Sequence, residues 1–178
     1  FSWIGITSIA SDEADKGSSP GDTGGDKNLL DALDFNSTGG SFQDIWQGHY
    51  QAINRANQAL YYLPLLTNAN SDLKARLTGE AKFLRAFSYF ILVRSFGGVP
   101  IVDHVPVAGN DADRAMLLTR KTKEEVYSFI ESDLNAAIAA LPQKNAYPTS
   151  DIGRASKGAA NALLAKVHLY QKNWQKVI

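Results

Sequence analysis

Apolar residues along this chain recur at helical steps. Over 42–63, Ile45, His49, Ile53, Asn57 and Leu60 fall along one side, joined by Trp46, Tyr50 and Ala56. This spacing predicts a helix whose apolar stripe is interrupted by polar groups, with Ser41 as N-cap, Asp44 in the first turn, and Pro64 as the stop. A second helix is predicted over 71–96, where Leu73, Leu77, Ala81, Leu84, Phe87, Ile91 and Phe96 recur at steps of three to five residues. It runs into Gly97-Gly98 and then Pro100, a sequence suited to a sharp helix exit. Thr122-Lys123-Glu124-Glu125 reads as a capping box, and Val126, Ile130, Leu134, Ile138 and Leu141 follow it at near four-residue steps up to Pro142. A fourth helix is capped by Ser156 and runs to about Gln171. Its small residues Gly158, Ala159, Ala160, Ala162 and Ala165 suit close approach of a neighbouring helix. Asn173 then turns the chain into what reads as the opening of a further helix.

The connections differ in character. Residues 11–40 are dense in Gly, Ser, Asp, Asn and Thr, and only 26–34 reads as a short helix or turn, so the segment is expected to be mostly loop. A loop that long in a compact protein is a natural place for a binding surface. Val99-Pro100-Ile101-Val102 reads as extended and 109–115 as polar loop. Two helical pairs therefore repeat, one before Gly97 and one after Thr122. Ala159, Leu163, Tyr170 and Trp174 sit where a tetratricopeptide repeat wants small, large and aromatic residues. The repeat is degenerate, because the first pair is long and 97–121 is an insertion. The expected fold is all-α, with tetratricopeptide-like helical hairpins and long inserted loops. It divides into an acidic loop-rich segment (1–40), a first helical pair (41–97), an extended or loop insertion (98–121), and a second helical pair with the start of another helix (122–178).

Composition narrows the functional classes. The 178 residues are 44% hydrophobic and 20% charged, enough to bury one core, and nothing in the totals suggests disorder or a membrane span. Lys plus Arg equals Asp plus Glu at 18 each, so no bulk positive field exists to hold nucleic acid. The balance hides an acidic front: Asp12, Glu13, Asp15, Asp22, Asp26, Asp31, Asp34 and Asp44 precede Trp46, offset only by Lys16 and Lys27. Such a front can bind calcium or accept hydrogen bonds from sugar hydroxyls, or it can be a solvated surface. Cysteine is absent, which removes disulfides, thiolate nucleophiles and thiolate metal sites. The start at Phe1 and the end at Ile178 read as those of a trimmed or processed product.

Candidate chemistry is sparse. No two of His49, His104 and His168 are one helical turn apart, so a histidine metal site is not expected, and His168 reads as a packing residue. No serine sits in a nucleophile elbow, no glycine-rich turn follows a predicted strand, and no carboxylate pair stands out, so no catalytic constellation and no cofactor is expected. Arg85, Arg94 and Arg154 lie in or beside apolar helices and need carboxylates or helix-end carbonyls, with Glu80 a candidate partner. Sugar rings stack on Trp or Tyr while carboxylates and amides bind their hydroxyls. The candidate ligand-binding set is therefore Trp46, Tyr50, Asp44, Asp22 and Asn36, with a helix-seam role as the alternative for Trp46.

Four segments in order resemble the SusD/RagB family of cell-surface nutrient-binding lipoproteins. They are Ser11-Asp12-Glu13, Tyr50-Gln51-Ala52-Ile53-Asn54-Arg55-Ala56-Asn57, the Arg85-Ala86 helix with its Gly97-Gly98-Val99-Pro100 exit, and the helix following Gly153 up to Tyr170. The resemblance implies the N-terminal part of a SusD-like protein, completed by a C-terminal remainder, that is lipid-anchored at the outer membrane and exposed at the surface. It also implies non-enzymatic capture of oligosaccharide and delivery to a TonB-dependent SusC-like transporter. In that family many ligand contacts come from inserted loops. The alternatives are a RagB-like binder of peptide or protein, and a helical-repeat scaffold that binds only protein.

Overall fold

The computed structural model describes residues 2–17, 19, 21, 24–68 and 70–177. Among them the regular structure is helical, and the only β-type pairing is an isolated antiparallel bridge between Pro100 and Arg120. The main elements are α1 (Ser2–Ile4), α2 (Gly25–Asp31), α3 (Gly40–Tyr62), α4 (Ser71–Phe96), α5 (Asp111–Leu118), α6 (Lys123–Ala140) and α7 (Lys157–Tyr170). This is the expected all-α fold of tetratricopeptide-like pairs, α3–α4 and α6–α7, with an inserted connection between them. The chain divides into two compact units, Phe1–Tyr50 and Gln51–Ile178, and the division falls within α3.

In the first unit, α1 runs into a π-helical turn, Gly5–Ile9, against which α2 packs. Gly5 gives α2 its room, because a Cβ there would sit 3.2 Å from Leu30 Cδ1 and 3.3 Å from Lys27 Cδ. Ile9, Leu30 and Ile45 are its buried apolar side chains. The helix expected over 26–34 is realised as α2, ending at Asp31.

In the second unit, α4 packs along α6, α6 packs on α7, and α4 makes a smaller contact with α7. Tyr89, Phe90, Leu92, Ile130 and Leu134 are almost fully buried, each contributing on the order of 1.5–3 kcal/mol. At the far end of α6, Ala137, Leu141 and Ala160 form a buried cluster with Phe83, Ile138 and Ala155 against it. Gly79 lets α4 approach this end, since a Cβ there would lie 3.1 Å from both Ala140 Cβ and Leu141 Cγ. Thr122 Oγ1 accepts from Glu125 N at 3.1 Å while Glu125 Oε2 accepts from Thr122 N at 2.7 Å, so the expected capping box opens α6. Ser156 caps α7 as expected, its hydroxyl accepting from Ala159 N at 3.3 Å.

The structure corrects several expectations. Residues 109–115 are not a polar loop: α5 begins at Asp111, with Asn110 as N-cap accepting from Asp113 N at 3.0 Å and acidic residues in its first turn. Of the predicted α4 stripe, Ala81 and Ile91 are buried whereas Leu73, Leu84 and Phe87 are exposed, so the buried face is a different one. It consists of Ala81, Arg85, Ala86 and the near-continuous run 88–93, because that part of α4 is covered on more than one side. Of the small residues on α7, Ala160 is the one buried at a helix contact, whereas Gly158, Ala159 and Ala162 face outward. After Asn173 the chain makes a 3-10 turn, Trp174–Lys176.

Arg85 does not pair with Glu80. Its Nε donates to Asp133 Oδ2 at 2.7 Å and its Nη2 to Asp133 Oδ1 at 2.9 Å, a two-point pair between α4 and α6. Nη1 donates to Asn57 Oδ1 at 2.6 Å and to the Asp103 carbonyl at 2.7 Å. Glu80 instead takes Arg154 Nη1 at 2.9 Å. Arg94 donates from Nε to the Phe90 carbonyl at 3.2 Å and lies over the Phe90 and Tyr170 rings.

Candidate functional site

Of the predicted site residues, Asn36, Asp44, Trp46 and Tyr50 lie in the first unit, around the start of α3. Ser41 is nearly fully buried there, and its hydroxyl donates to Asp26 Oδ2 at 2.6 Å while its N–H donates to the same oxygen at 3.0 Å. Lys27 Nζ, also buried, donates to Asp26 Oδ2 at 2.9 Å and to Ser41 Oγ at 2.6 Å. The Ser41 hydroxyl first, and then Lys27, hold the Asp26 carboxyl below its ordinary range. Three charged or polar groups on α2 and α3 thereby fix the entry of the helix that carries Trp46 and Tyr50.

Trp46 and Tyr50 are one turn apart on α3 and half-buried, with ring centroids 4.9 Å apart and planes tilted by 44°. The structure brings these two together. Asp44 lies two residues before Trp46, roughly 200° around the helix. It is exposed, and its Oδ2 accepts from the Ser2 hydroxyl at 2.6 Å. Asn36 is exposed ahead of the helix, its Oδ1 accepting from Thr38 N at 2.9 Å in an Asx turn. Asp22 lies outside the described residues. Nearby, the Phe35 and Phe42 rings lie with centroids 5.6 Å apart and planes tilted by 54°. Burial lowers the pKa of His49 below its ordinary value. The arrangement offers an aromatic pair with acceptor groups around the same helix entry, which is chemistry for holding a polar ligand with apolar faces.

Comparison with known proteins decides the family. The family model described as "Starch-binding associating with outer membrane" matches residues 12–169. The chain belongs to the SusD-like family.

Among SusD-like relatives, a SusD-like protein of Bacteroides ovatus is 30% identical over 145 residues, covering 80% of this chain and 24% of that protein. SusD-like protein P2 of Formosa agariphila is 31% identical over 156 residues, 86% of this chain and 29% of the relative. The chain therefore spans about a quarter of the length of the curated relatives it matches. Among solved structures, a laminarin-binding SusD-like protein superposes with a TM-score of 0.79 at 29% identity, covering 99% of this chain and 41% of that one. A SusD-like carbohydrate-binding protein from Bacteroides fragilis gives 0.70 at 30% identity, covering 81% of this chain and 27% of that one.

Two features of this SusD-like chain escape sequence reasoning. Asp133 lies inside the Ile130–Leu134 stripe of α6, and only its position on the buried side of the helix hints that it needs a cation. His104 is clamped, with Nδ1 2.6 Å from Asp103 Oδ1 and Nε2 2.8 Å from Asp113 Oδ1. Those two carboxylates, Asp103 foremost, raise its pKa. Among the described residues no group of three or more His, Cys, Asp or Glu side chains could hold a metal ion, and no helix is long and apolar enough to cross a membrane.

Proposed function

We propose that this chain is part of a non-enzymatic glycan-binding protein of the outer membrane, with Trp46 and Tyr50 as its aromatic platform. The observation that carries the reading is the ring pair at 4.9 Å beside the acceptor-rich entry of α3. A sugar ring presents C–H faces to such a pair and hydroxyls to carboxylates and amides, for which Asn36, Asp44 and Asp22 are the candidates read from the sequence. Relatives described as binding carbohydrate or laminarin support the ligand class, and the family description supports the outer-membrane location. Lipid anchoring, surface exposure, completion of the site by a C-terminal remainder, and hand-over to a SusC-like TonB-dependent transporter belong to the same proposal.

The test is calorimetric titration with laminarin and starch oligosaccharides of the protein and its Trp46→Ala variant, alongside thermal melts. Loss of binding with an unchanged melt is expected. Binding of peptides but of no glycan would move the protein to the RagB-like reading. Unchanged glycan affinity with a lowered melt would make Trp46 a packing residue and overturn the assignment of the platform.

A further inference from the structure

The connection from α6 to α7 frames a pocket open to solvent, of about 690 Å³, within the size range of small-molecule sites. Tyr147 and Ile152 supply its apolar lining, and Gln143, Lys144, Asn145 and Arg154 supply its polar lining. The walls are held in place. Arg76 Nη1 donates to Asp151 Oδ2 at 2.6 Å, Arg154 Nε donates to Asp151 Oδ1 at 2.9 Å, and Arg154 Nη1 donates to Glu80 Oε2 at 2.9 Å. The Tyr147 hydroxyl donates to the Ala155 carbonyl at 2.7 Å, and the Arg76 guanidinium lies 5.5 Å from the centre of its ring.

The charges divide into two sets. Arg76 and Arg154 are matched by Asp151 and Glu80, so these four act as a neutral frame. Lys144 is the surplus cation. Neither it nor the side-chain amides of Gln143 and Asn145 has a hydrogen-bond or ion-pair partner among the described residues. An open pocket with an aromatic and an aliphatic wall, two uncommitted amides and one uncommitted ammonium suits a ring-shaped polyol that also carries a negative charge. A bare inorganic anion would leave the apolar walls and the amides unused.

We propose that this cavity is a second saccharide site, separate from the α3 platform, that takes an acidic sugar bearing a carboxylate or a sulfate. Lys144 holds the charged group, Gln143 and Asn145 bind hydroxyls, and the ring face lies against Tyr147 and Ile152. The inference extends the glycan-binding reading above to a different ligand class at a different place. Because Lys144 is exposed, its attraction is weakened by added salt.

The experiment is an amide-resolved NMR titration of the whole chain with trigalacturonate as the carboxylate probe, a sulfated carrageenan tetrasaccharide as the sulfate probe, and maltotriose as the neutral control. At least one acidic probe is expected to shift amides within 143–156, and maltotriose to leave them unmoved. Lys144→Gln is expected to weaken the acidic probe about fivefold, the scale of one exposed charge contact. Asn145→Ala is expected to weaken it severalfold, and both variants keep the wild-type spectrum elsewhere. If neither acidic probe moves 143–156, or if Lys144→Gln leaves the affinity unchanged, the proposal is wrong. Amides 36–50, followed with a laminarin oligosaccharide in the same samples, report the α3 platform independently, so either reading can fail alone.

Discussion

Arg85 of α4 and Asp133 of α6 meet through two parallel hydrogen bonds of 2.7 and 2.9 Å, with side-chain exposures of 6% and 3%. Two charges so buried are tolerated because four of the five N–H groups of the guanidinium are engaged, two by Asp133 and two by Asn57 and the Asp103 carbonyl. The pair fixes how α4 and α6 sit against each other and ties both to α3.

Removing one partner strands the other. Asp133→Ala is expected to lower the unfolding free energy by about 3–5 kcal/mol, read from urea denaturation. Replacing both, Arg85→Met with Asp133→Leu, is expected to cost less than Asp133→Ala alone. A single substitution within about 1 kcal/mol of wild type would mean that the pair is solvated in solution.

Gly98 has no room for a side chain, because a Cβ there would fall on the Lys121 carbonyl oxygen, which belongs to the backbone. Gly98→Ala is therefore expected to push apart the Val99–Lys121 pairing, where Lys121 N donates to the Val99 carbonyl at 3.2 Å. A fall of more than about 2 kcal/mol in stability, with weakened protection of the Lys121 amide in hydrogen exchange, is the expected result. An unaffected Lys121 amide would contradict it.

Thr122→Ala removes half of the capping box and is expected to cost about 1 kcal/mol. Thr122→Ser keeps the hydroxyl and should restore most of that loss. Comparing the two denaturation midpoints checks the cap rather than the residue's bulk.

The His104 clamp sets a pH dependence whose sign follows from its neighbours. His104 is raised above its ordinary 6.5 by Asp103 and then Asp113, so its stabilisation is full below that value and is lost as pH rises through the raised one. Asp113 is lowered from 3.8, first by the Val107 N–H and then by His104, so its contribution is present above that value and is lost as pH falls through the lowered one. The stability difference between wild type and His104→Asn is therefore expected to peak between about pH 4 and about pH 6 and to shrink toward pH 9. A difference that stays flat over this range in denaturant titrations would remove the clamp from solution.

What the sequence reveals is mainly what local chemistry decides. The helix boundaries at Thr122, Ser156 and Gly97 can be read because caps and breakers act within a few residues. The start of α5 obeys the same rule, with Asn110 as cap and acids following, but the polar density of 109–115 outweighs it in a sequence reading. The partner of Arg85 is not legible, since Asp133 is 48 residues away and a long-range pairing leaves no periodic mark. Of the candidate site, the Trp46–Tyr50 pairing follows from their one-turn spacing, whereas Asp44 at two residues from Trp46 belongs to another side of the helix. The 143–156 cavity arises from short turns held by Arg76, a residue on a distant helix, and no motif announces it.

Asn57 donates from its amide nitrogen to the Val102 carbonyl at 2.8 Å and the His104 carbonyl at 3.3 Å, and Tyr89 Oη receives the Val102 N–H at 2.7 Å. The stem of the excursion that leaves the helix stack after Gly98 is thus moored to side chains of α3 and α4, while Ala108 and Gly109 at its crest are open to solvent. Extra residues grafted at that crest would leave the anchorage untouched, which makes it a natural point for attaching a fluorescent or affinity tag without disturbing the helices beneath.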